Sequence, residues 1–230
     1  MTDVPRGTTP PPPPPEAAVV FGDRLELATA YVGWLAGPGT ERGLIGPREV
    51  GRLWERHLLN CAVVGEVVPA GVTVADLGSG AGLPGIPLAL ARPDVEVTLV
   101  EPLLRRATFL SEVVDALELP RVEVVRSRGE DLHGHRTFGV VTSRAVAPLE
   151  RLLGWSVPLT EVGGSVVALK GASAAEEVAA LAAQPRAWER LGIEAPDVVQ
   201  VGATVLSHPA TVVRAVVGPR RRLRSRGTLR

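Results

Sequence analysis

With 230 residues, 45% of them apolar, the chain is long enough to bury one domain-sized core with a modest extension. No apolar run approaches the roughly 20 residues needed to span a bilayer and the N-terminal MTDVPRGTTPPPPPP has no apolar signal core, so a cytoplasmic protein without a membrane partner is expected. A single cysteine, Cys61, excludes an internal disulfide framework and a cysteine-clustered zinc site, so no metal is expected, and the formal net charge is zero.

Residues 1–21 read as a disordered Pro-rich leader. Within it the unbroken run Pro10 to Pro15 cannot donate backbone hydrogen bonds, which predicts a stiff polyproline segment outside the fold. Residues 22–218 read as a single domain that opens with helices over 22–70. Leu25, Leu27, Ala28, Tyr31, Val32 and Leu35 recur at helical spacing, and Pro47 starts a second helical stretch reaching about Val67.

From residue 71 short β-branched runs alternate with helical stretches. The strand candidates are VTVAD at 72–76, VEVTLV at 95–100, VEVVRS at 122–127, GVVTSR at 139–144 and GSVVALK at 164–170. Helices are predicted over 84–91, 103–117, 149–157 and 174–183. This alternation implies right-handed crossovers and an α/β domain, with a mostly parallel sheet covered on both faces. The runs DVVQVGATVL and TVVRAVV then follow each other closely and predict an antiparallel pair closing the sheet. Residues 219–230 form an Arg-rich tail; its last eleven residues, RRRLRSRGTLR, hold six arginines and no acid, a candidate contact for a polyanion.

The most informative stretch is ADLGSGAGLPG at 75–85, directly after the first strand. From Gly80 it reads G-x-G-x-x-G, the dinucleotide fingerprint; from Asp76 it reads D-x-G-x-G-x-G, the pattern of an S-adenosylmethionine (SAM) loop. Gly78, Gly80 and Gly82 let backbone approach a ligand closely in either reading, and the helix opened by Pro84 offers free N–H groups to an anion. Glu101, just beyond the second strand, is placed to accept hydrogen bonds from ribose hydroxyls, a feature both readings share. Asp76 separates them: a carboxylate at the end of the first strand can meet the ammonium of an amino acid but would repel a pyrophosphate. SAM is therefore the expected cofactor, with a nicotinamide-dependent oxidoreductase as the remote alternative.

The order RLWERHLLNCAVV, DLGSGAGLPGIPLALARP, VEPLLRRATFL, SRGED, VTSRAVAPL and ALKG resembles the bacterial 16S ribosomal RNA small-subunit methyltransferase G family, also called glucose-inhibited division protein B. The resemblance runs from about Asp23 to Val217. It implies a class I SAM-dependent methyltransferase fold, Rossmann-like with a seven-stranded sheet, and methylation of N7 of a guanine in 16S ribosomal RNA by a monomer. It also implies SAM contacts at Gly78, Leu83, Gly129, Glu130 and Arg144. Where the family often carries an NLT-type segment, this chain reads RGLIGPREVG.

An arginine at the end of a buried strand, as Arg144 is, must find an anion or a set of acceptors, such as a carboxylate or an RNA phosphate. RNA contacts are expected from Lys170, the chain's one lysine, from Arg56 and His57, and from Arg220, Arg221 and Arg222 in the tail. Guanine N7 presents a lone pair without losing a proton, so positioning suffices and no general base is expected; Arg144 and Lys170 are the positioning candidates. An adenine amino-methylating loop is absent, since that position reads SRAVAPL, and Cys61 precedes the first strand, away from where a cytosine-attacking thiolate would sit. A SAM-dependent enzyme acting on another RNA, a protein or a small molecule remains the alternative.

Overall fold

The computed structural model describes residues 9–219. The sheet has seven strands: β1 (Thr73–Leu77), β2 (Glu96–Val100), β3 (Val122–Val125), β4 (Phe138–Arg144), β5 (Thr160–Lys170), β6 (Asp197–Val201) and β7 (Ala210–Val216). Their order is β3-β2-β1-β4-β5-β7-β6, all parallel except β7, which runs antiparallel to both β5 and β6. The two C-terminal strands pair as the sequence predicts, but β7 slots between β5 and β6 rather than merely closing the edge.

The N-terminal part holds α1 (Pro15–Phe21), α2 (Leu25–Trp34) and a helical run over 47–67 that passes through 3-10, π and α turns, the last being α3 (Asn60–Ala62). With α4 (Gly85–Ala91) and α5 (Leu104–Ala116) these elements cover one face of the sheet, in a core that includes Val74, Leu99, Val140 and Leu169. On the other face α6 (Leu149–Ser156), α7 (Ala174–Ala182) and α8 (Ala187–Leu191) pack over Val166, Ala168, Val213 and Ala215. Adjacent strand residues alternate between these two cores, as the pleat requires.

The leader boundary needs correction. Residues from Pro15 are helical rather than disordered, because Ala17 and Phe21 bury apolar surface and Phe21 meets Trp54 edge-on. Even the proline run is not wholly outside the fold: the Trp54 indole N–H donates to the Pro11 carbonyl at 3.0 Å. Proline lacks a donor but keeps a strong acceptor, and that acceptor is used here. Among the described residues no helix is long and apolar enough to cross a membrane.

Candidate active site

Strand order reverses between β1 and β4, and a cavity of about 600 Å³ opens beyond their carboxyl ends, where open α/β sheets bind ligands. Three sheet-edge loops line it: Gly78 to Ala81 with Leu83 after β1; Glu101, Pro102, Leu103 and Arg106 after β2; and Arg144, Ala145 and Val146 after β4. Leu44, Ile45 and His57 of the N-terminal helical part form the remaining wall.

The loop after β1 is shaped by backbone that only glycine adopts without strain, with φ of +69° at Gly78, +58° at Gly80 and +98° at Gly82. Gly78 faces the cavity, where a Cβ would stand 3.1 Å from Val146. Gly82 does not line the cavity as expected; it is buried against Ile86 and the Tyr31 hydroxyl, so its lack of a side chain serves packing. Tyr31, on α2, pins the loop by donating to the Ala81 carbonyl at 2.7 Å. That brace spans 50 residues and left no local signal in the sequence.

Glu101 is 1% exposed, and its two carboxylate oxygens accept the N–H groups of Gly80 and Leu103, each at 3.0 Å. Each oxygen keeps a lone pair for a further donor. Asp76, read as meeting the methionine ammonium, does not reach the cavity. It points from β1 into the core beneath α4, fully buried, where one oxygen accepts the Gly85 N–H at 3.0 Å and the other has no partner. Its role in this geometry is to hold the loop from below.

Burial pushes the Asp76 carboxyl up to about 7, with the Glu101 charge adding to the rise and the Gly85 hydrogen bond opposing it. An unfolded Asp releases its proton near 4, so between about 4 and 7 the native state holds a proton that the unfolded chain has lost. Stability then falls as pH rises through that window. Asp76→Asn, measured without SAM, is expected to unfold at a higher temperature than the parent at pH 8 by a margin worth about 2–4 kcal/mol. Toward pH 4.5 the margin should shrink; thermal melts giving one constant offset at every pH would refute it.

Arg144 leaves the end of β4 on the same sheet face as Leu169, its partner on β5, and is half-buried. Its guanidinium donates to His57 Nδ1 at 2.7 Å and to the Cys61 thiol at 3.2 Å. Among the described residues it has no ion pair, so the acceptors it finds are neutral and its charge faces the cavity uncompensated. Burial pushes the Cys61 thiol up to about 11, so it is no thiolate nucleophile. Burial and the nearby Arg144 charge hold His57 below the usual imidazole value, hence neutral at neutral pH. Both of its ring nitrogens are engaged, Nε2 with Glu49 at 2.9 Å and Nδ1 with Arg144, which leaves it no free position to act as a base.

Two further placements are corrected, that of Lys170 and that of Gly129 with Glu130, whereas Arg56 is open to solvent. Lys170 does not face the cavity: its ammonium donates to the Ala147 carbonyl at 2.9 Å and pairs with Glu177 at 2.8 Å. It sits one residue beyond Leu169, and one step along a strand reverses the side chain to the α7 side. Gly129 and Glu130 do not line the cavity either; Gly129 packs against Leu77, and Glu130 is exposed at the start of a 3-10 turn. Arg56 is exposed on the outer side, 3.4 Å from Glu49. Arg220, Arg221 and Arg222 lie outside the described residues. Ala145, with φ of +54°, is a cavity residue that composition and periodicity missed; a left-handed alanine next to Arg144 is a strain of the kind found at functional sites.

The residues present fit SAM. The positive-φ loop opens backbone to the cavity at Gly78, Glu101 offers carboxylate lone pairs for ribose hydroxyls, and the volume falls in the about 300–1,000 Å³ range of small-ligand sites. Sheet order, glycine loop and acidic residue together define a class I SAM-dependent methyltransferase. Two solved structures share this fold: a SAM-dependent O-methyltransferase from Thermotoga maritima, with TM-score 0.53, 14% identity and coverage of 71% of this chain and 66% of that one; and TYW2 of M. jannaschii in complex with AdoMet, with TM-score 0.53, 16% identity and coverage of 71% and 76%.

The chain belongs to the GidB family, described as rRNA small subunit methyltransferase G, whose profile matches residues 24–204. It is 56% identical to the Ribosomal RNA small subunit methyltransferase G of Nocardioides sp., over 94% of this chain and 85% of that protein. The protein of the same name from Streptomyces coelicolor is 58% identical over 86% and 82%, and that from Rhodococcus jostii 54% identical over 96% and 97%.

Proposed function

We propose that the protein transfers a methyl group from SAM to N7 of a guanine in 16S ribosomal RNA, acting as a cytoplasmic monomer without a metal. The observation that carries this reading is that the glycine loop, Glu101 and the uncompensated Arg144 guanidinium line one cavity. When bound, SAM supplies a methyl carried on a sulfonium.

The backbone of Gly78, Gly80 and Leu83 and the Glu101 carboxylate would hold the cofactor, while Gly82 and Asp76 keep the loop in shape from behind. Gly129 and Glu130 would serve only the outer edge of such a site. Arg144 donates hydrogen bonds and cannot accept them, so it suits a carbonyl or phosphate oxygen of the RNA and leaves a base nitrogen's lone pair free. Guanine N7 needs no deprotonation, in keeping with the engaged state of His57. The Arg-rich tail and the exposed Arg56 would add phosphate contacts outside the site, on a single domain that takes in the helix from Pro15.

Incubating the enzyme with labelled SAM and small subunits from a strain lacking it should place label in 7-methylguanine of 16S RNA. Label on any other atom or molecule would return the substrate to the alternative reading. Calorimetric titration should give heat with SAM and none with NADH; heat with NADH would reopen the oxidoreductase.

A further inference from the structure

We infer that Glu49 is a positioning residue for Arg144, acting through His57; this rests on the assignment of Arg144 to the substrate side of the site. Glu49 Oε2 lies 2.9 Å from His57 Nε2, and His57 Nδ1 lies 2.7 Å from Arg144 Nη2. Glu49 itself does not line the cavity. The polarity of this chain is fixed by chemistry: a guanidinium only donates, so Nδ1 must accept, and the single proton of the neutral ring is then on Nε2. That proton needs an acceptor, and the Glu49 carboxylate provides it. The hydrogen bond from His57 also holds Glu49 below the usual carboxylate range, so it is charged at neutral pH.

Without the Glu49 acceptor the Nε2–H proton loses its partner, only Arg144 still favours that tautomer, and the share of rings carrying the proton on Nδ1 rises. In that tautomer an N–H points at the guanidinium, the Nδ1 acceptor is gone, and Arg144 retains only the Cys61 thiol, a weak acceptor. His57 is 7% exposed, so little water can substitute for the lost acceptor. The guanidinium would then turn away from its aim across the cavity. Glu49 thus sets the direction of Arg144 from behind the cavity wall, two hydrogen bonds away from the guanidinium.

The test compares Glu49→Ala, Glu49→Gln and Arg144→Ala in steady-state methylation of small subunits, with calorimetric SAM affinity, thermal melts and ¹⁵N NMR of the histidine rings. Glu49→Ala should lower kcat by roughly 10–100-fold, the scale of a misplaced reacting group, while SAM affinity stays within about twofold. Glu49→Gln, whose amide oxygen accepts the same proton, should recover most of that loss. The ¹⁵N shifts should report the Nε2–H tautomer of His57 in the parent and in Glu49→Gln, and a raised share of Nδ1–H in Glu49→Ala. A parental kcat in Glu49→Ala while Arg144→Ala is inactive would overturn the positioning role and leave the Arg144 assignment standing. An unchanged tautomer in Glu49→Ala would overturn it as well. Parental turnover in Arg144→Ala would remove the assignment on which the inference stands.

Discussion

Replacing Arg144 by alanine is expected to lower methylation by about 10²-fold or more, the scale seen when one preorganised charged or polar donor is deleted from an active site. The fold should survive. Among the described residues the guanidinium hydrogen-bonds His57 Nδ1 and the Cys61 thiol, both neutral, and the side chain opens onto a cavity that water can enter. A loss of about 1 kcal/mol, or 2–4 °C in Tm, is the expected scale for a chain of this size. Methylation of small subunits together with a thermal melt checks both parts. Normal turnover would take Arg144 out of the site, whereas a collapse of Tm would make it a structural residue. SAM affinity separates its two possible partners: an unchanged Kd places the guanidinium on the RNA, and a large rise places it on the methionine carboxylate.

Gly82→Ala should have the largest effect on stability. At φ of +98° any side chain is strained, and a Cβ there would stand 2.4 Å from Ile86 Cδ1 and 2.9 Å from both Ile86 Cγ1 and the Tyr31 hydroxyl. Ile86 and Tyr31 are fully buried, so neither has room to retreat. Overpacking of this kind costs about 1–3 kcal/mol and a left-handed alanine about 1–2 more, which sums to roughly 2–5 kcal/mol. At 2–4 °C per kcal/mol a fall of about 5–15 °C in Tm is expected. Displacement of Tyr31 would also release the Ala81 carbonyl and loosen the loop, so calorimetric SAM affinity should fall with it.

Gly80→Ala is the control. Its φ of +58° is also left-handed, but the nearest atom to a Cβ is the Gly78 carbonyl oxygen at 3.8 Å. It should lose about 1–2 kcal/mol, the backbone part alone. Equal melting temperatures for the two variants would show that the packing against Ile86 and Tyr31 carries no weight.

Much of the site is legible in the sequence. The glycine loop, Glu101 and Arg144 each follow a strand of β-branched residues, and in a parallel sheet with helical crossovers all such strand ends lie on one edge. Element order and ligand edge are therefore consequences of local pattern and the handedness of the chain. The resemblance carried by GLPGIPLA, SRA and ALKG narrowed the chemistry from a nucleoside to a methyl donor with an RNA acceptor.

Facing directions were not legible in the same way. Arg144 and Lys170 both end strands at the ligand edge, yet Arg144 pairs beside Leu169 toward the cavity while Lys170, one residue on, points to Glu177 on the opposite side. Sheet register decides this, and register depends on which strands pair. Asp76 reads as a ligand contact because it stands near the carboxyl end of β1, but a closely packed α4 seals it under the Gly85 amide. The succession of strands and helices, the edge that binds and the residue types delivered there follow from short-range periodicity and turn chemistry. That Tyr31 braces the loop, that the chain from Pro15 packs into the core, and that Glu49, His57 and Arg144 form one directed chain are outcomes of long-range packing. Those contacts join residues far apart along the chain, and their partners are chosen by packing, which local pattern does not encode.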